Sequence, residues 1–200
     1  MSLDPERIRE RYAKIVDEVG PGVQVVAATK YVALEEMAAL AEAGVTVVGE
    51  NRAQDLEAKH AVYGDSFRWH FIGHLQSRKA PALNVTCELV HSLDSLSAAR
   101  RLEIPVLVQV NLSEEASKSG VSPEELESFL DSCPAEVRGL STMPPLTADP
   151  EASRASFRRL RGLAERLGLR ELSMGTSQDF RVAAEEGATL VRVGSHLWRE

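Results

Sequence analysis

The chain has 200 residues, of which 44% are hydrophobic and 26% are charged, so it can bury a sizeable core and is too apolar to be disordered. Its net charge is −7, with no basic run outside an arginine-rich stretch after Glu151, which argues against an extended nucleic-acid surface. We find neither a leader sequence nor an apolar stretch of membrane-spanning length, so we expect no membrane partner.

The predicted elements alternate between helices and short strands along the chain. An amphipathic helix over residues 5–19 comes first. Eight β-rich apolar runs follow, at residues 23–29, 46–50, 69–73, 88–93, 105–111, 137–142, 171–176 and 190–194. Stretches between them, such as 34–43 and 156–167, have helical periodicity. Ser122, Pro123 and Glu125 form a capping-box pattern that predicts a helix start at this point.

Strands that are apolar throughout and alternate with helices are typical of parallel sheets. Eight of them predict an α/β fold, a closed (β/α)8 barrel of the TIM type, forming a single domain over residues 1–200. An open doubly wound sheet is the competing fold. Functional groups of such barrels lie at the carboxyl ends of the strands, so residues at those ends are the candidates for a site.

Lys30 ends the first strand, where a charged ammonium follows a run of small apolar residues. It shares a strand face with Val26 and Ala28, and the small Ala28 leaves room beneath it if that face points into the barrel. Partial burial favours the neutral amine that attacks an aldehyde, so Lys30 is a candidate covalent anchor. The alternative is a lysine that extends into solvent. We expect the other lysines on polar helix faces (Lys14, Lys59), at a helix start (Lys79) and in a polar loop (Lys118).

Two glycine turns follow the seventh and eighth strands, L-S-M-G-T-S-Q at 172–178 and V-R-V-G-S-H at 191–196. Each places glycine beside hydroxyl residues, so backbone N–H groups and the hydroxyls of Ser177 and Ser195 can converge on an anion. Either turn alone is equally an ordinary turn or cap. Both together, after strands seven and eight of a barrel, predict a phosphate site.

Arg192 lies within the eighth strand, on the same face as Gly194, while Val191 and Val193 take the other face. A guanidinium buried inside the barrel needs a partner. That partner is either an acidic residue such as Glu50, in an internal salt bridge, or an acceptor on a ligand.

An aldehyde-reactive lysine, a phosphate site and a buried arginine together suggest pyridoxal 5′-phosphate (PLP) as the ligand. The chain also resembles the pyridoxal phosphate homeostasis protein family (YggS/PROSC) over nearly its whole length. The stretches that carry the resemblance are A-A-T-K (27–30), V-G-E-N (48–51), H-F-I-G-H-L-Q-S (70–77), V-L-V-Q-V-N (106–111) with S-K-S-G (117–120), R-G-L-S-T-M-P (138–144), L-S-M-G-T-S (172–177) and L-V-R-V-G-S (190–195).

The resemblance implies a barrel like the N-terminal domain of alanine racemase, the type III fold of PLP proteins, with the cofactor held as a Schiff base. Carried over by motif, Lys30 is the Schiff-base lysine, Asn51 lies near the cofactor and Arg192 faces the pyridine nitrogen. The residues that bind the phosphate or shape its turn are Met174, Gly175, Ser177, Gly194 and Ser195.

The sequence departs from the family pattern at three positions. Arg78 stands where the family often has the asparagine of L-Q-S-N-K, so a role for that asparagine does not carry over. Ser141 stands where methionine is common, and we expect it to alter packing against the cofactor. Ser195 stands where threonine is usual, a change that keeps the hydroxyl.

Amino-acid enzymes that use PLP draw electrons into a protonated pyridine ring, commonly held so by a carboxylate. Arg192 cannot accept that proton and disfavours protonation of the ring. Alanine racemase tolerates an arginine there, but its second domain brings a catalytic tyrosine, and we expect no second domain here. We therefore predict a PLP carrier or regulator that is not an enzyme, with little or no catalytic turnover.

The alternatives are a weak amino-acid racemase and a class I aldolase that acts through Lys30 on a phosphorylated substrate, although aldolase lysines usually come from later strands. His70 and His74 are four residues apart but lack an evident third ligand, so no metal is predicted. The arginines of the helix near residue 160 are expected to form a solvated face balanced by Glu151 and Glu165.

The two cysteines, Cys87 and Cys133, form no metal-type pair and indicate a reducing compartment, so we expect a cytoplasmic protein. The expected partners are PLP and the apo-enzymes that use it, with no nucleic acid. We expect a monomer or a weak dimer.

Overall fold

The computed structural model describes residues 3–113, 119–145 and 147–198, so Lys118 and part of the S-K-S-G stretch lie outside the described residues. Eight strands pair in sequence order, each parallel to its neighbours, and the last pairs with the first. The predicted closed (β/α)8 barrel is confirmed, and the open sheet is wrong. The strands are β1 (Gln24–Ala28), β2 (Val47–Glu50), β3 (Arg68–Phe71), β4 (Leu89–Leu93), β5 (Val106–Gln109), β6 (Val137–Ser141), β7 (Glu171–Thr176) and β8 (Leu190–Val193).

Helices cover the outside of the barrel. They are α1 (Pro5–Val19), α2 (Met37–Glu42), α3 (Ala53–Tyr63), α4 (Ala80–Leu83), α5 (Leu96–Ala99), α6 (Leu126–Ser132), α7 (Arg154–Arg166), α8 (Phe180–Glu185) and α9 (Ser195–Trp198). Within the described part of the chain, none of these helices combines the length and the apolar character needed to cross a bilayer.

Local sequence signals explain where the best-predicted helix begins and ends. The carboxylate of Asp4 accepts the N–H of Glu6 at 3.0 Å, and Pro5 occupies the first helical position of α1. Gly20, with φ of 78°, ends the helix in a backbone region that favours glycine. The prediction of a helix over 5–19 is confirmed.

The capping-box pattern at Ser122 forms its hydrogen bonds, but α6 begins later than predicted. The Ser122 hydroxyl donates to Oε2 of Glu125 at 2.7 Å and accepts the N–H of Glu125 at 3.3 Å. That N–H also bonds to the carbonyl of Ser122, which closes a turn over these residues. The α-helix therefore starts at Leu126.

Alternating strand residues divide the core into two layers. Val26, Val47, Leu89, Leu107 and Leu190 fill part of the barrel interior. The neighbouring residues point outward into a larger layer between the sheet and the helices, which includes Val25, Ala27, Val191 and Val193. Ala28 and Arg192 therefore share the inward face, as predicted from the two-residue period.

Candidate functional site

The barrel opens into a cavity of about 410 Å³ at the carboxyl ends of its strands. Its lining comes from residues at or after the ends of β1, β2, β3, β6, β7 and β8. Six of the eight residues predicted to bind the cofactor line it: Lys30, Asn51, Ser177, Arg192, Gly194 and Ser195. A larger cavity of about 620 Å³ lies at the opposite end of the barrel, near Arg68 and Glu88, and contains none of them.

Lys30 lies two residues beyond the end of β1, at the rim of the cavity. Its side chain is exposed, which corrects the expectation of partial burial. The cause is local: the chain turns at Thr29, where the N–H of Val32 bonds to the Thr29 carbonyl at 2.9 Å, and this turn carries Lys30 out of the strand. The ammonium nitrogen lies 4.7 Å from the ring centroid of the exposed Tyr31, within cation–π range.

A buried polar cluster fixes the ends of β1 and β2 beneath this rim. The Glu50 carboxylate pairs with the ammonium of Lys59 and accepts the Thr29 hydroxyl at 2.7 Å and the N–H of Asn51 at 3.2 Å. Lys59 also donates to the Thr29 carbonyl at 2.9 Å. Thr29, which precedes Lys30, and the backbone of Asn51 are therefore held by one carboxylate.

Lys59 is one of the residues for which the sequence prediction was wrong. It was expected on a polar helix face, but only 6% of it is exposed. The buried face of α3 contains Ala53, Leu56 and Lys59, spaced by three residues. A lysine on that face requires an anion, and Glu50 at the end of an apolar strand supplies it.

The two glycine turns meet at the cavity wall. The Ser177 hydroxyl oxygen accepts the N–H of Gly194 at 3.1 Å, which joins the turn after β7 to the turn after β8. A Cβ atom at Gly194 would lie 3.2 Å from the Ala28 carbonyl oxygen, so glycine permits a close approach to β1. Asp179 accepts the N–H of Thr176 at 2.7 Å and steadies the first turn.

Met174 and Gly175 lie behind the cavity and do not line it. The Met174 side chain is fully buried in the outer layer, because its position in β7 points away from the barrel interior. Gly175 has φ of 89°, and a Cβ atom there would lie 2.5 Å from that of Ala183 in α8. It therefore permits α8 to pack closely on β7. A direct cofactor contact by either residue stays a prediction.

Arg192 is buried at the base of the cavity. One terminal nitrogen donates to the Thr142 carbonyl at 2.8 Å and lies 3.9 Å from the Met143 sulfur, whereas the Nε group has no hydrogen-bond partner among the described residues. Burial lowers the pKa of Arg192 to about 10, although the charge of Asp179 opposes this shift. The internal salt bridge with Glu50 is wrong, since that carboxylate pairs with Lys59.

The structure adds cavity residues that the sequence did not single out, chiefly Ile72, Met143, Gln178, His196 and Trp198. Of these, Trp198 has a buried Nε1–H group without a hydrogen-bond partner within the described ranges. Its ring lies 3.8 Å from the Cβ position of Gly194. Only their position in the sequence could have indicated these residues, because each of them follows the carboxyl end of a barrel strand.

A hydrogen-bonded histidine pair occupies the barrel interior. His91 Nε2 lies 2.9 Å from His70 Nδ1, and His91 Nδ1 lies 2.7 Å from the Ser173 hydroxyl. Burial lowers the pKa of His70 to about 3, with Arg68 acting in the same direction. Burial also places the pKa of His91 well below its ordinary value, and electrostatic interactions with His70 and Arg192 act in the same direction. Both rings are therefore neutral at pH 7.

His70 thus has a different partner from the one considered in the sequence. His74 is exposed and does not join the pair. Over residues 3–113, 119–145 and 147–198, no three His, Cys, Asp or Glu side chains are grouped for metal binding. Ser141 donates its hydroxyl hydrogen to the His91 carbonyl within the barrel and does not line the cavity, and an effect on packing against the cofactor stays a prediction.

The arginines of α7 form ion pairs on the outside of the barrel. Arg154 contacts Glu151 at 2.6 Å and Glu185 at 2.6 Å, and its third partner is the buried Glu186 at 2.8 Å. The side chain of Arg158 also reaches Glu186, at 3.1 Å. The interpretation of this helix as a balanced polar face agrees with these contacts, and Glu186 is an additional acid that the sequence did not indicate.

Comparisons with known proteins agree with this geometry. The family model "Alanine racemase, N-terminal domain" matches residues 3–199. A protein from Aquifex aeolicus named pyridoxal phosphate homeostasis protein is 37% identical over an alignment of 217 residues, which covers 97% of this chain and 95% of the relative. One from Pseudomonas aeruginosa with the same name is 41% identical over 172 residues, covering 78% and 75%.

Solved structures of similar proteins agree with the family match. PipY of Synechococcus elongatus PCC7942, determined with PLP bound, is 32% identical with a TM-score of 0.88, covering 96% of this chain and 99% of PipY. A lysine/ornithine decarboxylase from Vibrio vulnificus shares only the fold, at 17% identity and a TM-score of 0.74, with coverage of 98% and 62%. The chain therefore belongs to the alanine racemase N-terminal domain family and, within it, to the pyridoxal phosphate homeostasis proteins.

Proposed function

We propose that this protein binds PLP reversibly as a Schiff base on Lys30 and acts as a carrier or regulator in the homeostasis of PLP. One observation carries the proposal: a single cavity combines a primary amine, a buried guanidinium with an unpaired N–H and a Ser/Gly turn from two strands. When bound, PLP supplies an aldehyde carbon with which the Lys30 amine condenses, releasing water.

The residues present fit this cofactor. A cavity of about 410 Å³ lies within the ordinary size range of small-ligand sites. The unpaired Nε–H of Arg192 requires an acceptor, because a buried donor left unsatisfied costs about 1–3 kcal/mol, and an unprotonated pyridine nitrogen is such an acceptor. The hydroxyls of Ser177 and Ser195, with the indole N–H of Trp198 nearby, suit a phosphate.

The same geometry supports low catalytic turnover. Arg192 keeps its proton at pH 7, since its pKa stays near 10. Among the described residues that line the cavity, none is Asp or Glu, and the nearby Glu50 is already paired with Lys59. No carboxylate among the described lining residues is therefore available to hold a ring proton, which the electron-withdrawing chemistry of amino-acid enzymes needs.

The names of the relatives support this function, as does the presence of PLP in the PipY structure. A weak amino-acid racemase is the second candidate, because Tyr31 and His196 line the cavity and both side chains can carry a proton. The two free thiols, Cys87 and Cys133, suit the reducing cytoplasm. We propose that the partners are apo-enzymes that require PLP.

The decisive experiment is to titrate the purified protein with PLP, follow the imine absorption band, reduce with borohydride and map the modified peptide. We expect a single label, on Lys30. Lys30→Ala should lose the label, whereas Lys14→Ala, which removes an exposed lysine of α1, should keep it. A label on a different lysine, or none, would overturn the proposal.

Turnover needs a separate measurement. We expect incubation of the PLP-loaded protein with single amino-acid enantiomers to leave their configuration unchanged over hours. Racemisation by the unaltered protein that disappears in Lys30→Ala would show that the second candidate is correct. Racemisation that persists in Lys30→Ala would instead come from a contaminating enzyme.

A further inference from the structure

A further cavity, of about 300 Å³, lies between the ends of β2 and β3. It is beside the cavity of about 410 Å³ that is proposed to bind PLP, which we call the PLP cavity. Its ionisable lining residues are Arg52, His74, Arg78 and Lys79, and we refer to it as the basic cavity. Asn51 borders both cavities. None of the described residues that line the basic cavity is acidic, although the chain as a whole has a net charge of −7.

Three of these cations lack the ion pairs that several arginines form elsewhere in the described part of the chain. Arg68 pairs with Glu88 at 2.8 Å and Arg181 with Glu18 at 2.8 Å, and the arginines of α7 share Glu186. Within the described ranges, no carboxylate forms an ion pair with Arg52, Arg78 or Lys79.

The side chains of the basic cavity are available for a ligand. Arg52 and Arg78 are exposed, and Lys79 is half-buried. Arg78 donates its Nε–H to the Gln76 side chain at 3.2 Å, a contact that orients the guanidinium and leaves its terminal N–H groups for another acceptor. Burial raises the pKa of the Asp94 carboxyl, and the nearby His74 opposes this shift, so the acidic neighbour of the basic cavity lies beside His74 and not beside the other three cations.

Like charges gathered around one concave space repel one another, and an anion in that space offsets the repulsion. Guanidinium groups bind phosphate with paired, charge-assisted hydrogen bonds, and a lysine adds a further charge. The volume is at the lower limit of small-ligand sites.

We infer that the basic cavity binds the phosphate group of inorganic phosphate or of a small phosphate ester. This site is distinct from the turns formed by Ser177 and Gly194, to which the PLP phosphate is assigned, so it goes beyond the proposed function. Arg78 is also a departure from the family pattern, so we expect weaker phosphate binding in relatives that have asparagine at this position.

The test uses protein in which PLP has been reduced onto Lys30, so that the first phosphate site is filled. Inorganic phosphate is then added at constant ionic strength while the backbone amide signals of residues 51–54 and 76–80 are followed by NMR. We expect saturable shifts there. Arg78→Ala and Arg52→Ala should each weaken binding about 10-fold. A second titration with glycerol phosphate shows whether an ester is accepted.

The matched control is Arg170→Ala, which removes an exposed arginine next to the start of β7, at the opposite end of the barrel. It should leave the phosphate affinity unchanged. Equal weakening in all three variants, or no saturable shift at these amides, would overturn the inference. Failure of the proposed function would appear earlier, as a missing Lys30 adduct. The titration would then use Ser177→Ala/Ser195→Ala protein, in which the hydroxyls of the first site are absent.

Discussion

The ammonium group of Lys59, from α3, and the carboxylate of Glu50, at the end of β2, form an ion pair that is buried behind the PLP cavity. Lys59→Met leaves that carboxylate without its cation in a site closed to water. We expect the free energy of unfolding to fall by about 3 kcal/mol, measured by urea denaturation at pH 7.

The double variant Lys59→Met/Glu50→Gln is the control for this pair. It removes both charges, so it should be more stable than Lys59→Met alone. If Lys59→Met unfolds at the same urea concentration as the unaltered protein, the pair does not stabilise the barrel.

The histidine pair predicts how stability depends on pH. The pKa of His70 is lowered from 6.5 to about 3, and that of His91 is also lowered. The unfolded chain therefore binds more protons than the folded chain below pH 6.5. The free energy of unfolding is therefore highest above pH 6.5, and it decreases as the pH falls from 6.5 toward the lower pKa values that the two histidines have in the folded protein. We expect a loss approaching about 1.4 kcal/mol per pH unit for each histidine.

Urea denaturation at pH 7.5, 6.5 and 5.5 measures this dependence. His70→Asn should reduce the slope below pH 6.5 by about one proton, whereas His74→Gln, which replaces an exposed histidine, should leave it unchanged. A slope that is the same in both variants would contradict an origin in the buried pair.

Trp198 provides a test of the phosphate end of the PLP cavity. Trp198→Phe keeps an aromatic ring but removes the unpaired N–H. Loss of one hydrogen bond to an anionic group corresponds to about 1.5–3 kcal/mol, so the Kd for PLP should rise about 10- to 150-fold. Pyridoxal, which lacks the phosphate, should bind equally to both proteins. Equal weakening for both ligands would show that the indole acts by packing alone.

The only other tryptophan, Trp69, is a natural control, because its Nε1–H already donates to the Gly64 carbonyl at 3.0 Å. It lines the cavity at the opposite end of the barrel. Trp69→Phe should leave the Kd for PLP unchanged.

Substitution by alanine should have opposite effects at two glycines. A Cβ atom at Gly73 would lie 1.9 Å from the carbonyl oxygen of Asn51, so Gly73→Ala must displace the backbone beside the PLP cavity. We expect it to lower the free energy of unfolding by about 1–3 kcal/mol and to weaken PLP binding. Urea denaturation and PLP titration measure the two effects.

Gly162, inside α7, is the counterpart. A Cβ atom there meets open space, so Gly162→Ala should raise the free energy of unfolding by about 0.5–1 kcal/mol through helix propensity and leave PLP binding unchanged. Normal PLP binding by Gly73→Ala would show that the position of Asn51 does not matter for the cofactor.

The sequence predicted the barrel well because its signals are local. Each of the eight strands is a short apolar run, and a two-residue period was sufficient to place Ala28 and Arg192 on the inward face. The convergence of Ser177 and Ser195 on one cavity followed from the rule that strand ends meet at one edge of a barrel.

Contacts between distant residues could not be predicted in the same way. The burial of Lys59 depends on Glu50, and the pairing of His70 with His91 depends on two strands 21 residues apart. The exposure of Lys30 depends on a turn at Thr29 and not on the apolar strand that precedes it. In each case contacts in the folded structure determine the surroundings of the side chain. Composition and periodicity do not reveal such contacts.

The exposed position of Lys30 at the rim has a kinetic consequence. Bulk water and free amino acids reach its side chain without any rearrangement of the barrel, so exchange at this amine is not limited by a conformational opening. If PLP binds to this amine as proposed above, the protein behaves as a buffer. Its occupancy follows the free concentration of PLP in its surroundings, rising when the cofactor is plentiful and falling when other proteins withdraw it.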